Sequence, residues 1–428
     1  MARLAIIGTG YVGLTAGACF AHLGHEVVCA DLDAEKVARL SAGDVPIFED
    51  RLELLVREGI SAGRLQFVVG ASNAVADCEV AFLCVPTPQN DDGTADLSYI
   101  EAASAEIASL LPSQSIVVNK STVPVGSTRV VERALGRSDV IVVSNPEFLR
   151  EGSAVQDFLH PDRIMIGCED QSAAIKVSSL YLGVTAPTVV TDPASAETIK
   201  YAANAFLATK LSFVNAIAAV CEGVGADVSD VILGLGYDTR IGSEFLKPGP
   251  GWGGGCFPKD TRALVRIAEQ GGYDFQLLDG VIAVNEEQFS RIANKVRDAV
   301  GGDLNGRTVG VWGLKFKAGT DDLRDSPALS VVQRLMSAGA SVRAYDPTVS
   351  AVGDLPSGHD AVELVENAVS VCDGADVLVV LTEWDEFRWQ DPVEVAALMA
   401  SPTVVDARNL LDRARWERCG FTYRGVGR

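Results

Sequence analysis

Short apolar runs, each closing on a polar or glycine-rich cluster, recur along this chain between longer amphipathic stretches. The first covers residues 4–7 and leads into Gly8-Thr9-Gly10-Tyr11-Val12-Gly13 and a helical stretch through about Leu23. The next, 26–30, ends on Asp31. Three more follow at 80–85, 116–119 and 140–144. Runs of this length, bounded by Gly, Pro and Ser, read as buried strands. Over residues 194–224 the pattern changes. Apolar residues occupy nearly every face, which predicts one long, buried helix. A further helix is predicted over 261–269. After Gly301-Gly302-Asp303-Leu304-Asn305-Gly306 the strand pattern resumes at 307–312, 341–345, 376–381 and 403–405, with Pro327 early in a helix. The alternation predicts an α/β protein: two Rossmann-like doubly wound domains joined by a long central helix, divided as 1–193, 194–300 and 301–428. The last part reads as a degenerate structural echo of the first.

The glycine spacing after the first strand adds chemistry. In a strand–turn–helix setting, Gly8 makes a tight turn, Gly10 lets bare backbone approach a pyrophosphate, and Gly13 lets the helix pack closely. The helix N-terminus then faces the negative charge. Asp31 ends the next strand. It is placed to accept hydrogen bonds from a ribose 2'-hydroxyl and to repel a 2'-phosphate, which favours NAD over NADP.

The later strands end in Pro86-Thr87-Pro88, in Lys120-Ser121-Thr122-Val123-Pro124-Val125-Gly126 and in Asn145-Pro146-Glu147-Phe148-Leu149-Arg150-Glu151-Gly152. The carboxyl edge of an open parallel sheet is where ligands bind, although ordinary turn chemistry uses the same residue types. Thr122, Glu147 and Glu151 stand out. On the long helix, Glu197, Lys200 and Asn204 fall at i, i+3 and i+7, within about 60° of one another. A lysine in apolar surroundings needs a partner or a task. A Glu197–Lys200 ion pair is one reading, a functional site the other. Lys317 and Arg408, at strand ends of the last part, are either solvated charges or holders of a phosphate or uracil-type group.

One stretch is unlike the rest: Gly249-Pro250-Gly251-Trp252-Gly253-Gly254-Gly255-Cys256-Phe257-Pro258-Lys259-Asp260. Such a run either forms a tight structural turn around a buried cysteine or brings backbone against a ligand. Cys256 falls just before a predicted helix, whose electropositive N-terminus favours the thiolate.

Composition narrows the field. The chain has 428 residues and a formal net charge of -21, which argues against nucleic acid or an anionic membrane as partner. Nine cysteines, odd in number and without a CxxC pair, point to a reducing cytoplasm and away from disulfides or structural zinc. Most lie in apolar runs and read as core residues. The four histidines fall in no metal-ligand spacing, so no metal is expected. The apolar N-terminus is read as the nucleotide motif and not as a signal peptide, and no later stretch is read as a membrane span. A dinucleotide motif, a reactive-looking cysteine and a buried lysine together suggest an NAD oxidoreductase with a covalent step: a thiolate adds to a carbonyl, hydride leaves for the nicotinamide, and water cleaves a thioester.

Over essentially its whole length the chain resembles the nucleotide-sugar 6-dehydrogenases. The motifs that carry the resemblance are GxGYVG at 8–13, KSTVPVG at 120–126, NPEFLREG at 145–152, GWGGGCFPKD at 251–260 and FKxxTDDxR at 316–324. The resemblance implies oxidation of a sugar C6 alcohol to a carboxylate with two NAD per turnover. It implies Cys256 as nucleophile, Lys200 and Asn204 stabilising the oxyanion, Asp260 as base with a water held by Thr122, and Glu147 in thioester hydrolysis. It implies NAD contacts at Gly8, Gly10, Tyr11, Val12, Gly13, Asp31, Lys36, Thr87, Thr122, Glu151 and Arg324. For the UDP-sugar it implies Glu147, Phe148, Leu149, Lys200, Asn204, Phe245, Leu246, Gly253, Lys317 and Arg408. Tyr237-Asp238-Thr239-Arg240-Ile241-Gly242 resembles the UDP-glucose branch, in which the arginine reaches a partner subunit's substrate. A homodimer or higher homo-oligomer is therefore expected, and UDP-glucose is the expected substrate. GDP-mannose, another UDP-hexose and a non-enzymatic NAD-binding scaffold are the alternatives. The chain departs from the family pattern at one place. Many members read Pro-Ile-Tyr-Glu-Pro-Gly where this one has Pro46-Ile47-Phe48-Glu49-Asp50-Arg51, so the turn after the retained glutamate must differ.

Overall fold

The computed structural model describes residues 1–90 and 93–428. The chain forms two compact units, Met1–Ala203 and Asn204–Arg428.

In the first unit, strands β1 (Arg3–Ile7), β2 (Glu26–Asp31), β3 (Leu65–Val69), β4 (Val80–Leu83), β5 (Ile116–Asn119), β6 (Ile141–Ser144), β7 (Ile164–Gly167) and β8 (Thr188–Thr191) form one sheet in the order β3-β2-β1-β4-β5-β6-β7-β8. All neighbours are parallel except β6 and β7, which meet antiparallel through Ser144 and Gly167. Helices α1 (Tyr11–His22), α2 (Ala34–Ser41), α3 (Leu52–Ser61), α4 (Ser98–Ile107), α5 (Ser127–Leu135), α6 (Ala154–Leu159) and α7 (Gln171–Ser179) provide the connections. The inner strands β1, β4, β5 and β6 are apolar on successive residues because both sheet faces are covered there. One face is sealed by an aromatic cluster. Phe20 of α1 packs on Phe82, Phe158 and Tyr181 with ring centroids 5.1, 5.0 and 5.3 Å away. The order changes direction between β1 and β4, so the ends of these two strands frame a crevice of the kind that takes a dinucleotide.

Helix α8 (Pro193–Val224) is continuous, and the division between the units falls within it. Lys200 belongs to the first unit and Asn204, one turn later, to the second. The expectation of a helix buried all round is corrected. Phe206, Phe213 and Val220 are each more than half exposed, a stripe at seven-residue spacing. The reading that no later stretch is long enough for a membrane span is also corrected: α8 is long and apolar enough by length and composition, with 44% of its apolar window buried within the protein. The buried Glu197 and Lys200 mark it as a core helix with one open apolar stripe.

The second unit continues with α9 (Val228–Gly236), α10 (Phe257–Gln270) and α11 (Gln276–Ala299). A second sheet follows. Its strands are β9 (Thr308–Trp312), β10 (Ser341–Tyr345), β11 (Glu363–Leu364), β12 (Val377–Val380), β13 (Thr403–Asp406) and β14 (Thr422–Gly425), in the order β11-β10-β9-β12-β13-β14 and parallel throughout. This is the order of the first six strands of the first sheet, so the expected echo is real at the level of topology. Helices α12 (Pro327–Ser337), α13 (Asp385–Arg388), α14 (Pro392–Leu398) and α15 (Arg413–Arg418) join its strands. Pro327 opens α12 behind the Ser326 cap, where its missing N–H costs nothing. Trp312 stacks on Phe387 at 5.2 Å and meets Trp416 edge-on at 6.0 Å.

Candidate active site

The glycines after β1 act as their spacing predicts. Gly8 has φ +96°, and a methyl group there would lie 2.6 Å from the Cys84 carbonyl oxygen at the end of β4. A methyl group at Gly13 would lie 1.9 Å from the Gly8 carbonyl oxygen. Gly10 caps α1, and no atom stands within 4 Å of where its Cβ would be. That is a backbone surface open to a ligand at a helix N-terminus. Asp31 accepts from Thr9 N at 3.0 Å, Thr9 Oγ1 at 2.5 Å and Lys36 Nζ at 2.9 Å. Burial pushes its carboxyl up, but these donors and the Asp33 N–H outweigh burial and hold it down at about 2. It is a fixed anion at neutral pH.

The second sheet repeats part of this device. Gly313 follows β9 with φ +89°, its absent Cβ filled by Thr382, as Gly8 faces Cys84. Asp346 follows β10 as Asp31 ends β2. Its Oδ2 is taken by Leu314 N at 2.8 Å, Lys315 N at 3.2 Å and Trp384 Nε1 at 3.1 Å, and its Oδ1 by Thr348.

Tyr11 of the first turn donates its hydroxyl to Glu49. Glu49 also accepts from Gly152 N and Ala154 N, each at 2.7 Å. The glutamate of the departing segment thus ties the glycine turn to the end of the NPEFLREG motif. Arg51, at the place of the family's glycine, sits left-handed at φ 63° as the N-cap of α3.

Lys200 is 3% exposed and donates from Nζ to Glu147 Oε1 at 2.8 Å, while Glu147, 6% exposed, also accepts from Leu149 N at 2.6 Å. Burial raises the Glu147 carboxyl, and Lys200 more than offsets it, so the group lies below the usual range. The Glu197–Lys200 pair is therefore corrected. Glu197 instead accepts from Gly126 N, Thr128 N and Thr128 Oγ1 at 2.6, 2.9 and 2.7 Å, capping the start of α5. Phe148 lies 5.5 Å from Lys200 Nζ on one side and 3.7 Å from the Arg163 guanidinium on another. The Thr87 hydroxyl donates to the Thr122 carbonyl at 2.8 Å, joining the ends of β4 and β5. Glu151 is half-buried nearby in sequence.

In the second unit, Cys256 is exposed, while the other cysteines are buried, or half-buried in the case of Cys419. It is the N-cap of α10, which begins at Phe257, earlier than the pattern predicted. Asp260 lies in the first turn, with its N–H bonded to the Cys256 carbonyl at 2.9 Å. It is 1% exposed. Its Oδ2 accepts from Asn204 Nδ2 at 2.6 Å, and its Oδ1 has no hydrogen-bond partner, with Lys259 Nζ 3.6 Å away. The glycines before Cys256 are pressed against the protein's own atoms. A methyl group at Gly253 would meet the Asp325 carbonyl oxygen at 1.9 Å, at Gly254 the Phe316 ring at 2.9 Å, and at Gly255 the Arg324 guanidinium at 2.4 Å. Arg408 donates to the carbonyls of Phe316 and Leu381, each at 2.8 Å, beside Lys317. Leu246 is buried and Phe245 takes φ 59°. Arg240 is exposed and pairs with Asp238 at 2.6 Å, away from these groups.

Several supports of the loop lay outside the sequence reading. Asn285 brackets Trp252, accepting from its N–H at 2.8 Å and donating to its carbonyl at 3.0 Å. Gln288 and Asn215 hold Gly249. Their signal was a pair of amides, Asn285 and Gln288, at i and i+3 on the buried stripe of α11.

The topology, the open glycine turn and the capped cysteine define a dinucleotide-binding α/β oxidoreductase. Residues 2–185 match the NAD-binding domain, 194–287 the central domain and 310–413 the UDP-binding domain of the UDP-glucose/GDP-mannose dehydrogenase family. The chain belongs to that family and is an NAD-dependent dehydrogenase. It is 45% identical to a UDP-glucose 6-dehydrogenase of Rhizobium meliloti, covering 100% of this chain and 99% of that one. It is 44% identical to one of Pseudomonas aeruginosa, covering 100% and 97%. Among solved structures, a UDP-glucose dehydrogenase of Pyrobaculum islandicum superposes with TM-score 0.91 at 38% identity, covering 100% and 98%.

Proposed function

We propose that the chain oxidises UDP-glucose to UDP-glucuronate in two NAD-dependent steps through a covalent adduct at Cys256. The observation that carries this is an exposed cysteine at a helix N-terminus with the buried Asp260 one turn on, whose Oδ1 accepts no hydrogen bond among the described residues. NAD, when bound, supplies the acceptor for one hydride in each oxidation; Gly10 and Asp31 are the residues that fit it. Asp260 Oδ1 takes the proton of the C6 hydroxyl through a water held at Thr122. The Cys256 thiolate adds to the resulting aldehyde, and Lys200 and Asn204 stabilise the oxyanion. Loss of the second hydride leaves a thioester. Water, directed by Glu147, cleaves it to the carboxylate and restores the thiol. The sum is one UDP-glucose, two NAD and one water going to UDP-glucuronate, two NADH and three protons.

Phe148, Leu149, Phe245, Leu246, Gly253, Lys317 and Arg408 line the nucleotide-sugar site in this proposal. Thr87, Glu151, Lys36 and Arg324 serve the cofactor. The organisation is 1–193 for NAD, 194–300 for the central helices and cysteine loop, and 301–428 for the UDP-sugar. The names of the relatives and the Arg240-Ile241-Gly242 segment support UDP-glucose over GDP-mannose. NADH formation across a panel of nucleotide sugars tests the choice: signal with UDP-glucose at two NADH per sugar is expected, and signal only with GDP-mannose overturns it.

The exposed stripe Phe206, Phe213 and Val220 supports a homodimer built on α8, with Arg240 of one protomer serving the site of its partner. A solution mass of one chain overturns this, whereas Phe213→Asp is expected to release monomers. The cytoplasm is the proposed compartment, on nine cysteines that carry no disulfide.

A further inference from the structure

A cavity of about 480 Å3 lies within the second unit, walled by α8, α11 and the segment from β14 to the chain end. It is separate in its lining from the cysteine, the Lys317 region and Arg408. Four cationic side chains line it: Arg291, Lys295, Arg424 and Arg428. Two side-chain carboxylates, Glu222 and Asp298, share the wall. These side chains sum to two positive charges, in a chain of net charge -21. Glu222 Oε1 is committed, accepting from Lys295 Nζ and Gly427 N, each at 2.7 Å, and Glu222 Oε2 lies 3.7 Å from Arg291. Arg428 Nε is shielded from water and has no hydrogen-bond partner among the described residues. A buried guanidinium donor left unmade is costly, and an oxyanion with Arg-fork geometry satisfies it. The volume exceeds that of a lone phosphate and suits a small organic phosphate.

The walls also touch the cysteine loop and the substrate cluster. Asn215 Oδ1 accepts from Gly249 N at 2.9 Å, and Gln288 Nε2 donates to the Gly249 carbonyl at 2.7 Å. Both side chains line the cavity. Gly249 begins the run that ends at Cys256. The cavity's Tyr423 donates its hydroxyl to Asp406 Oδ2 at 2.8 Å, and Asp406 Oδ1 accepts from Arg408 N at 3.0 Å. An occupant that engages Asn215 or Gln288 therefore pulls on Gly249, and one that engages Tyr423 pulls through Asp406 on the Arg408 backbone.

We propose that this cavity binds a phosphate-bearing small molecule and adjusts the substrate site through Gly249 and Arg408. The adjustment, though not the binding, rests on the proposed roles of Cys256 and Arg408. Inorganic pyrophosphate is the probe, titrated calorimetrically into the whole protein with NAD and UDP-glucuronate both saturating, so that the cofactor and nucleotide-sugar sites are filled. One remaining pyrophosphate per chain is expected, and about tenfold weaker binding in Arg291→Ala and, separately, in Arg424→Gln. Two variants are used so that a folding failure in one leaves the other readable, each checked by its unfolding midpoint. In NADH assays, the part of the pyrophosphate effect on KM for UDP-glucose that does not compete with substrate is expected to vanish in the same variants. No residual binding, or equal binding in wild type and both folded variants, overturns the proposal. Absence of NADH formation with any nucleotide sugar instead strikes the proposed function and leaves the binding result standing.

Discussion

Lys200 Nζ reaches Glu147 Oε1 at 2.8 Å, and both side chains are almost wholly withdrawn from water. The lysine for which helix spacing offered Glu197 is neutralised instead by a carboxylate 53 residues earlier in the chain. The pair holds the NPEFLREG segment against the start of α8, and it keeps an ammonium poised without exposing it.

Breaking that pair is expected to be expensive. Lys200→Ala strands a buried carboxylate and should lower stability by about 3–5 kcal/mol, measured by denaturant unfolding. Lys200→Met combined with Glu147→Leu should recover most of the loss while remaining inactive. A single variant as stable as wild type would show that the pair contributes little to holding α8.

The glycine turn separates folding from binding. Gly10→Ala meets no atom within 4 Å, so its unfolding midpoint should stay near wild type, within about 0.5 kcal/mol. Its NAD affinity, read by fluorescence titration, should fall, because the methyl group occupies the approach to the pyrophosphate. Gly13→Ala places a methyl group 1.9 Å from a carbonyl oxygen and should fail in both assays.

Cys256→Ala should cut turnover by about 10³-fold or more while nucleotide-sugar binding persists. Asp260→Asn should lower kcat by about 10²–10⁴. Loss of binding and folding together in Cys256→Ala would make the cysteine a structural residue.

His25 carries a pH dependence of stability. Its Nδ1 accepts from Ala2 N at 3.2 Å and its Nε2 faces the Leu180 carbonyl at 2.9 Å, which fixes a neutral ring with the proton on Nε2. Burial lowers its affinity for a proton below that of a free histidine, about 6.5. The unfolded chain therefore binds a proton first as pH falls. The contribution of His25 is complete above about pH 6.5 and is lost as pH drops from there through the lower folded value. The unfolding midpoint between about pH 7 and pH 5 should fall more steeply in wild type than in His25→Gln, which can keep both hydrogen bonds.

Local chemistry by itself determined much of this protein. The turn at Gly8, Gly10 and Gly13, the acid at Asp31, strands β1, β2, β4, β5 and β6 and the long helix are each set by residues close in sequence, so pattern and spacing suffice to read them. Strands β3, β7, β8, β11 and β14 escaped because only their pairing with a sheet defines them. The tertiary structure decided the partners. Spacing on a helix offered Glu197 to Lys200, but Glu197 is drawn to the open N–H groups of α5 and Lys200 to Glu147, pairings that depend on where strand ends converge. The glycines before Cys256 looked like a cradle for substrate; in the fold Gly253, Gly254 and Gly255 are the price of pressing that loop onto Asp325, Phe316 and Arg324. The second sheet was legible as an echo, but that Asp346 takes Leu314, Lys315 and Trp384 as its donors was not. A sequence carries the period of its elements, whereas which donor fills which acceptor is settled only when distant strand ends are brought within three ångströms.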